Sequence, residues 1–448
     1  MNPEQNEMRL RVLLRTGAKK PGELQQALGI SQPTLSRLVR RAGPDVVMLG
    51  ATRSTLYALA SSVPGIGPKI PLFRVEVSGN VRPHGALHCL AGSQYYWETA
   101  TGGGTLYDYL PWFIQNLRPE GFLGRAFAIK HQGLGLPGML ENWNDHHLLT
   151  ALVKAGTDLP GDLIVGEESL NAYLATSKQG VEAISQKDRA IVYPKMARDA
   201  LAGSPPGSSA GGEQPKFGVL VNDNGLRHVL VKFSPPVGTA EGRRWSDLLV
   251  CEHLALQTLI EAGRSAATSS VWQYGERQFL EVDRFDRIGR FGRRGLVTLG
   301  VLEDEFFGVR DNWTGAANRM AEASLLSLED ASAIRWQAAF GKMIANTDQH
   351  FGNISLFVDG TVSFRLCPAY DVLPMFYRPT TTGEVVERQY EMPVATVGLA
   401  GEWVDAQEWA EVFWQRVAED DRISQEFREI AYGHAEELAA EQGPRLIL

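Results

Sequence analysis

The sequence predicts an α+β chain with a small basic helical head, a strand-rich stretch and a helix-rich C-terminal part. Three observations predict it. Residues 1–60 carry short amphipathic helical patterns and a net charge of +5, against −13 for the rest of the 448 residues. Apolar runs of strand length bounded by turn residues follow: LFRVEVSGNV, ALHCLA, FGVLVN and HVLVKF. After residue 320 the helical period takes over, as in SLEDASAIRWQAAFGKMIAN. The length suits two or three domains.

In the head, Met8 to Arg15 reads as a helix with Leu10, Leu13 and Leu14 on one side. Pro21 opens a second helix, GELQQALG, which Gly29 ends; Ser31 sits at the cap of a third, SQPTLSRLVRRAG. Two helices joined by a tight glycine turn predict a helix-turn-helix. Its second helix would lie in a major groove with Gln32, Thr34 and Ser36 toward the bases, and with Arg37, Arg40 and Arg41 on phosphates or guanine edges. Leu35 and Leu38 would point inward, and VVML and STLYAL would form a two-stranded wing. A basic head on an acidic body points to a polyanion partner for the head alone, here operator DNA. Such motifs bind paired half-sites, which suggests a homodimer.

Residues 61–70, SSVPGIGPKI, read as a Pro/Gly linker, and AGSPPGSSAGGEQPKFG (202–218) as the least structured stretch. The expected domains are therefore a winged helix-turn-helix at 1–60, a linker at 61–70, a subdomain at 71–200, a nucleotide-binding lobe at 201–290 and a helical lobe at 291–448.

The strongest chemical constellation is Asn346-Thr347-Asp348-Gln349-His350-Phe351-Gly352-Asn353, between a helix and the apolar run ISLFV, followed by Leu366-Cys367-Pro368-Ala369-Tyr370-Asp371. Phosphoryl transfer from ATP needs a carboxylate to orient and deprotonate the attacking hydroxyl. It also needs oxygen ligands for the Mg2+ that bridges the phosphates. Asp348 is the expected base, Asn353 and Asp371 the expected magnesium ligands, and His350 a brace of the loop. Lys232 interrupts the apolar strand HVLVKF, a costly place for a charge unless phosphates or a carboxylate meet it. Glu252, twenty residues on in a helical pattern, is the expected partner. The loop Ser208-Ser209-Ala210-Gly211-Gly212-Glu213-Gln214-Pro215-Lys216 precedes these strands; Gly211, Gly212, Gln214 and Lys216 are the expected phosphate cradle. Glu281, Asp283 and Phe285, in FLEVDRFDR, fall where a hinge would meet adenine. Together these residues match the parts that phosphoryl transfer from ATP requires.

From about residue 70 onward the chain resembles the HipA-like serine/threonine kinases of bacterial toxin–antitoxin systems. The likeness rests on NLRPEG, SSAGGEQPKF, VKF, VDRFDR, NTDQHFGN and CPAYDVLP in that order. With its fused helix-turn-helix it is similar to the YjjJ-type branch, in which regulator and kinase share one polypeptide. The resemblance implies a two-lobed, protein-kinase-like HipA fold with an extra N-terminal subdomain, the roles given above for Lys232, Asp348, Asn353 and Asp371, and autophosphorylation of the Gly-rich loop at Ser208 or Ser209. It implies a protein substrate of the kind the family modifies, aminoacyl-tRNA synthetases among them, and a separate or internal antitoxin.

Other classes are bounded as well. Cys89, Cys251 and Cys367 make neither a metal-type spacing nor a disulfide framework and are expected to be buried small residues. No apolar run reaches the ~18 residues of a membrane span, and the N-terminus lacks the layout of a secretion signal, so a cytoplasmic location is expected. Two rival readings share part of the pattern. One is a small-molecule phosphotransferase of the aminoglycoside-kinase type, and the other a transcription regulator whose body only senses ATP.

Overall fold

A computed structural model describes residues 3–51, 54–203, 214–358, 363–440 and 446–447. The Gly-rich loop residues Ser208, Ser209, Gly211 and Gly212 lie outside the described residues. The chain divides into two compact units, residues 1–76, 80–118 and 131–180 in one, and 77–79, 119–130 and 181–448 in the other.

The first unit begins with α1 (Pro3–Arg15), α2 (Pro21–Leu28) and α3 (Gln32–Arg41), then the antiparallel pair β1 (Val46–Leu49) and β2 (Leu56–Leu59). Leu10, Leu14, Leu24, Leu28, Leu35 and Leu38 meet in one small core, as the spacing predicts. Gly29 takes φ +66° at the end of α2, a left-handed turn that suits glycine. Ser31 occupies the cap position of α3, but its hydroxyl meets Thr34 Oγ1 at 3.1 Å rather than a backbone N–H.

A five-stranded sheet follows in the order β6-β5-β4-β3-β7, built from β3 (Lys69–Val75), β4 (Val81–Cys89), β5 (Tyr95–Thr99), β6 (Gly104–Tyr107) and β7 (Leu163–Val165). Helix α4 (Trp112–Gln115) contributes Phe113 and Ile114 to its core. Helix α5 (Gly121–Lys130) belongs to the second unit, whereas α6 (Asp145–Ala155) and α7 (Glu167–Gln179) stay with this sheet.

The expected linker at 61–70 is instead structural. Val63 and Ile70 are fully buried in the sheet core with Ile66 packed beside them, and Val63 pairs with Gly67 across a tight turn. Proline and glycine mark the turn, but the three apolar residues between them decide its burial. Head and sheet also share a cluster of Leu49, Ala58, Leu90 and Tyr96, and Gln94 Oε1 accepts a 2.7 Å hydrogen bond from Ala18 N–H.

The second unit is organised by another five-stranded sheet, order β11-β12-β10-β9-β8, from β8 (Ile184–Ser185), β9 (Lys216–Asn222), β10 (Leu226–Phe233), β11 (Ser269–Tyr274) and β12 (Arg277–Asp283). The β9–β10 turn uses Asn224 at φ +64° and Gly225 at φ +158°, the chemistry expected of its Asp-Asn-Gly tip. Helix α8 (Arg189–Ala202) covers one face through Tyr193 and Ala197, which pack on Phe217, Val229, Val231, Phe233 and Phe279. Residues 181–200 thus belong with the lobe expected to start at 201. Helix α9 (Ala240–Glu261) lies on the opposite face.

Beyond the sheet come the short strands β13 (Arg287–Ile288) and β14 (Gly292–Arg293), then the small sheet β15 (Leu296–Thr298), β16 (Ser355–Phe357) and β17 (Arg365–Leu366). Helices α10 (Leu299–Phe306), α11 (Trp313–Glu322), α12 (Leu328–Met343), α13 (Ala400–Glu419) and α14 (Gln425–Ala440) complete this part. Trp336 and Phe340 of α12 stack at 5.1 Å, and Phe340 meets Phe413 of α13 edge-on at 6.1 Å. The stretch between α12 and α13 is mostly short strands and tight turns, less helical than the sequence period predicts.

Candidate active site

Lys232 and Glu252 meet as expected. The ammonium donates to both oxygens of Glu252, at 2.7 and 2.6 Å, and also to Asp371 Oδ1. The Lys232 and Glu252 side chains are only 6% and 1% exposed. Period-2 alternation on β10 points Lys232 toward α9, and Glu252 looks back from the buried stripe of that helix. Burial opposes the charge on Lys232, yet Asp371 and Glu252 outweigh it and hold the ammonium above the ordinary lysine range. Burial likewise works against the Asp371 carboxylate, but Lys232 and then Lys216 overcome it and keep the group well below the usual carboxylate range. Glu252 stays raised by burial, which Lys232 offsets only in part. Lys216 pairs directly with Lys232 across β9 and β10, so both project from one face. Like charges in such a pair repel, and an anion between them relieves the repulsion. Gln214 donates from Nε2 to Phe233 O at 2.6 Å, at the end of the Lys232 strand.

The loop after α12 carries Asp348, His350 and Asn353. Asn346 Oδ1 accepts from Asp348 N–H at 3.0 Å, and Gln349 Nε2 donates to Ala338 O at 3.0 Å. Gly341 makes that second bond possible, because a Cβ there would lie 2.2 Å from Gln349 Nε2. His350 Nδ1 accepts from Gly352 N–H at 3.0 Å, its Nε2 lies 4.0 Å from Asp348 Oδ2, and its carbonyl accepts from Trp313 Nε1 at 3.1 Å. This is bracing geometry. The Asp348 side chain remains 38% exposed. Asn353, 7% exposed, gives its Nδ2 to Asp348 O at 2.8 Å, so its amide oxygen faces the other way. That oxygen and the Asp371 carboxylate are hard donors of the type Mg2+ takes.

The hinge expectation is corrected at Glu281. This residue is flanked by ladder partners on both sides, Val231 and Ser270, which leaves it no backbone edge for a base. Its carboxylate lies on the α8 face, accepting from Tyr193 Oη at 2.7 Å and pairing with Arg189 Nε at 2.8 Å. Asp283 gives its N–H to Thr268 O and its Oδ1 accepts from Arg227 Nη1. Arg284 N–H still bonds His228 O, so Phe285 is the first expected hinge residue beyond these bonds.

On α3, Gln32, Arg37, Arg40 and Arg41 are exposed and Thr34 and Ser36 half-buried. Gln32 Oε1 accepts from Gln25 at 2.6 Å, and Arg41 Nε lies 3.7 Å from Glu7. All three cysteines are buried, and no disulfide joins them. Sequence reasoning passed over Arg189 and Tyr193, whose i,i+4 spacing on α8 was the available signal, and Tyr370, whose signal was its place before Asp371.

Family models match the chain in two places: a YjjJ-like toxin middle domain at residues 66–174 and a HipA-like C-terminal domain at 208–439, more than half of the chain. The chain is 37% identical over 430 residues to Toxin YjjJ of Escherichia coli (strain K12), covering 95% of this chain and 96% of that protein. It belongs to the HipA-like family, with the YjjJ-like toxins. Among solved structures, this HipA-like chain matches the Shewanella oneidensis MR-1 HipA from a complex with HipB and operator DNA. The TM-score is 0.55 at 14% identity, over 82% of this chain and 96% of that one. The likeness establishes the HipA fold. No helix among the described residues is long and apolar enough to cross a membrane.

Proposed function

We propose that this HipA-like chain is an ATP- and Mg2+-dependent serine/threonine protein kinase with a DNA-binding head. The observation that carries the reading is the meeting of Lys232, Glu252 and Asp371 in one buried cluster. An exposed Asp348 and an inward Asn353 on one braced loop complete the reading. Lys232 and Lys216 bind and orient phosphates, and Asp348 accepts the proton of the attacking serine or threonine hydroxyl. Asn353 and Asp371 would hold the magnesium, which when bound would supply the positive charge that phosphoryl transfer needs.

The exposure of Asp348 and His350 favours a protein substrate over a small molecule enclosed in a pocket. The Gly-rich loop is a substrate in its own right through Ser208 or Ser209. The exposed arginines of α3 suit an operator duplex, bound by a homodimer with or without a separate antitoxin. A translation component such as an aminoacyl-tRNA synthetase is the protein substrate class that the family suggests.

The test is incubation of the purified chain with terminally labelled ATP and magnesium. Label in the chain itself or in an added protein is expected, falling by a factor of about 10² to 10⁴ in Asp348→Asn. Equal labelling in the two would remove Asp348 from the chemistry.

A further inference from the structure

We propose that Tyr370 is a positioning residue that sets the separation of Asn353 and Asp371 for the cation, a role that rests on the phosphotransferase reading above. Three segments converge on this one side chain. Its hydroxyl donates to Gly352 O at 2.7 Å, the carbonyl directly before Asn353. The same oxygen shares a 2.7 Å hydrogen bond with Ser355 Oγ on β16. Its ring lies 5.7 Å from that of Phe285, the first expected hinge residue beyond the ladder bonds. Asp371, the next residue, has φ +55°. A non-glycine residue in that left-handed region persists only where its surroundings hold it. Tyr370 is the covalent neighbour that ties this strained backbone to the loop bearing Asn353.

The ring and the hydroxyl therefore divide the work. The hydroxyl fixes the two cation ligands relative to each other, and the ring packs that pair against Phe285.

Removing an atom that orients a ligand typically costs ten- to a hundredfold in metal affinity or activity. The experiment measures phosphate transfer while titrating magnesium and, separately, ATP, with thermal melting of every variant. Tyr370→Phe is expected to melt as the wild type does, to lose roughly tenfold in kcat, to need several-fold more magnesium for half-saturation, and to keep its KM for ATP. Tyr370→Leu removes the ring as well and is expected to raise that KM. Ser355→Ala leaves the Gly352 bond in place and is expected to behave as wild type. A Tyr370→Phe chain with wild-type kcat and magnesium response overturns the assignment, as does one whose loss tracks a fall in folded fraction. A wild-type chain that transfers no phosphate at any magnesium concentration overturns the phosphotransferase reading, and the assignment falls with it.

Discussion

The two faces of the β8–β12 sheet both bury charge, and they do so to different ends. On the α9 face, Lys232 serves two carboxylates, one of which, Asp371, keeps 29% of its side chain exposed. On the α8 face, Arg189 and Arg227 are woven with Glu281, Asp283 and Asp223 into a set where every acid has a fixed arginine partner. Arg189 is fully buried and Glu281 1% exposed. Both clusters also reach the surface: Asp371 is 29% exposed in the first, and Arg227, Asp283 and Asp223 are 29%, 26% and 24% exposed in the second. A buried charge by itself therefore does not mark a site.

This contrast can be broken by substitution. Lys232→Met strands Glu252 and Asp371, so transfer is expected to fall at least a hundredfold while stability drops by about 3–5 kcal/mol. Arg189→Met strands Glu281 and is expected to cost stability on the same order, about 3–5 kcal/mol, with the folded fraction retaining wild-type kcat. Chemical denaturation beside a kinetic assay separates the two. An Arg189→Met chain that melts normally but has lost its activity would erase the distinction.

The next effect sharpens the contrast by pH. Burial, with Arg422 second, pushes the His253 imidazole on α9 down to about 4 from 6.5. Between those values the unfolded chain takes up a proton that the folded chain refuses. The contribution of His253 is complete above pH 6.5 and is lost as pH falls. Asp371 is held below this window and Lys232 above it, so neither supplies the slope. His253→Gln is expected to flatten the loss of stability between pH 7 and pH 5 by about 2 kcal/mol, read from denaturant melts. A variant with the wild-type slope would move the titrating group elsewhere.

The smallest effect lies outside the sheet. Arg40→Ala on exposed α3 is expected to lower the salt dependence of duplex binding by about one unit of slope. Phosphate transfer should stay unchanged. Gel-shift titrations at several salt concentrations measure the first, and the labelling assay measures the second.

Much of this was legible in order along the chain. Asp348, Asn353 and Asp371 stood out as candidates because phosphoryl transfer restricts residue type and spacing together. Lys232 stood out as a cation in an apolar strand. Leu35 and Leu38 were readable from helical period. The residues at 61–70 and Glu281 were not. Proline and glycine announce a turn without saying whether its apolar neighbours find a core, and Val63 and Ile70 did. Glu281 sits in a hinge-like string, yet strand order gave it a ladder partner on each side.

The sequence alone determined which chemical groups are present and on which local element each rides, because helix and strand periods and turn preferences act over a few residues. Only the tertiary structure decided which buried charges face one another: that Lys232, while holding Glu252, reaches Asp371 across 139 positions of chain, and that Tyr370 reaches Gly352 and Phe285 at once. Such pairings depend on strand order, helix packing and the path of loops. Those are set by burial of the whole apolar surface, and local spacing carries no record of them.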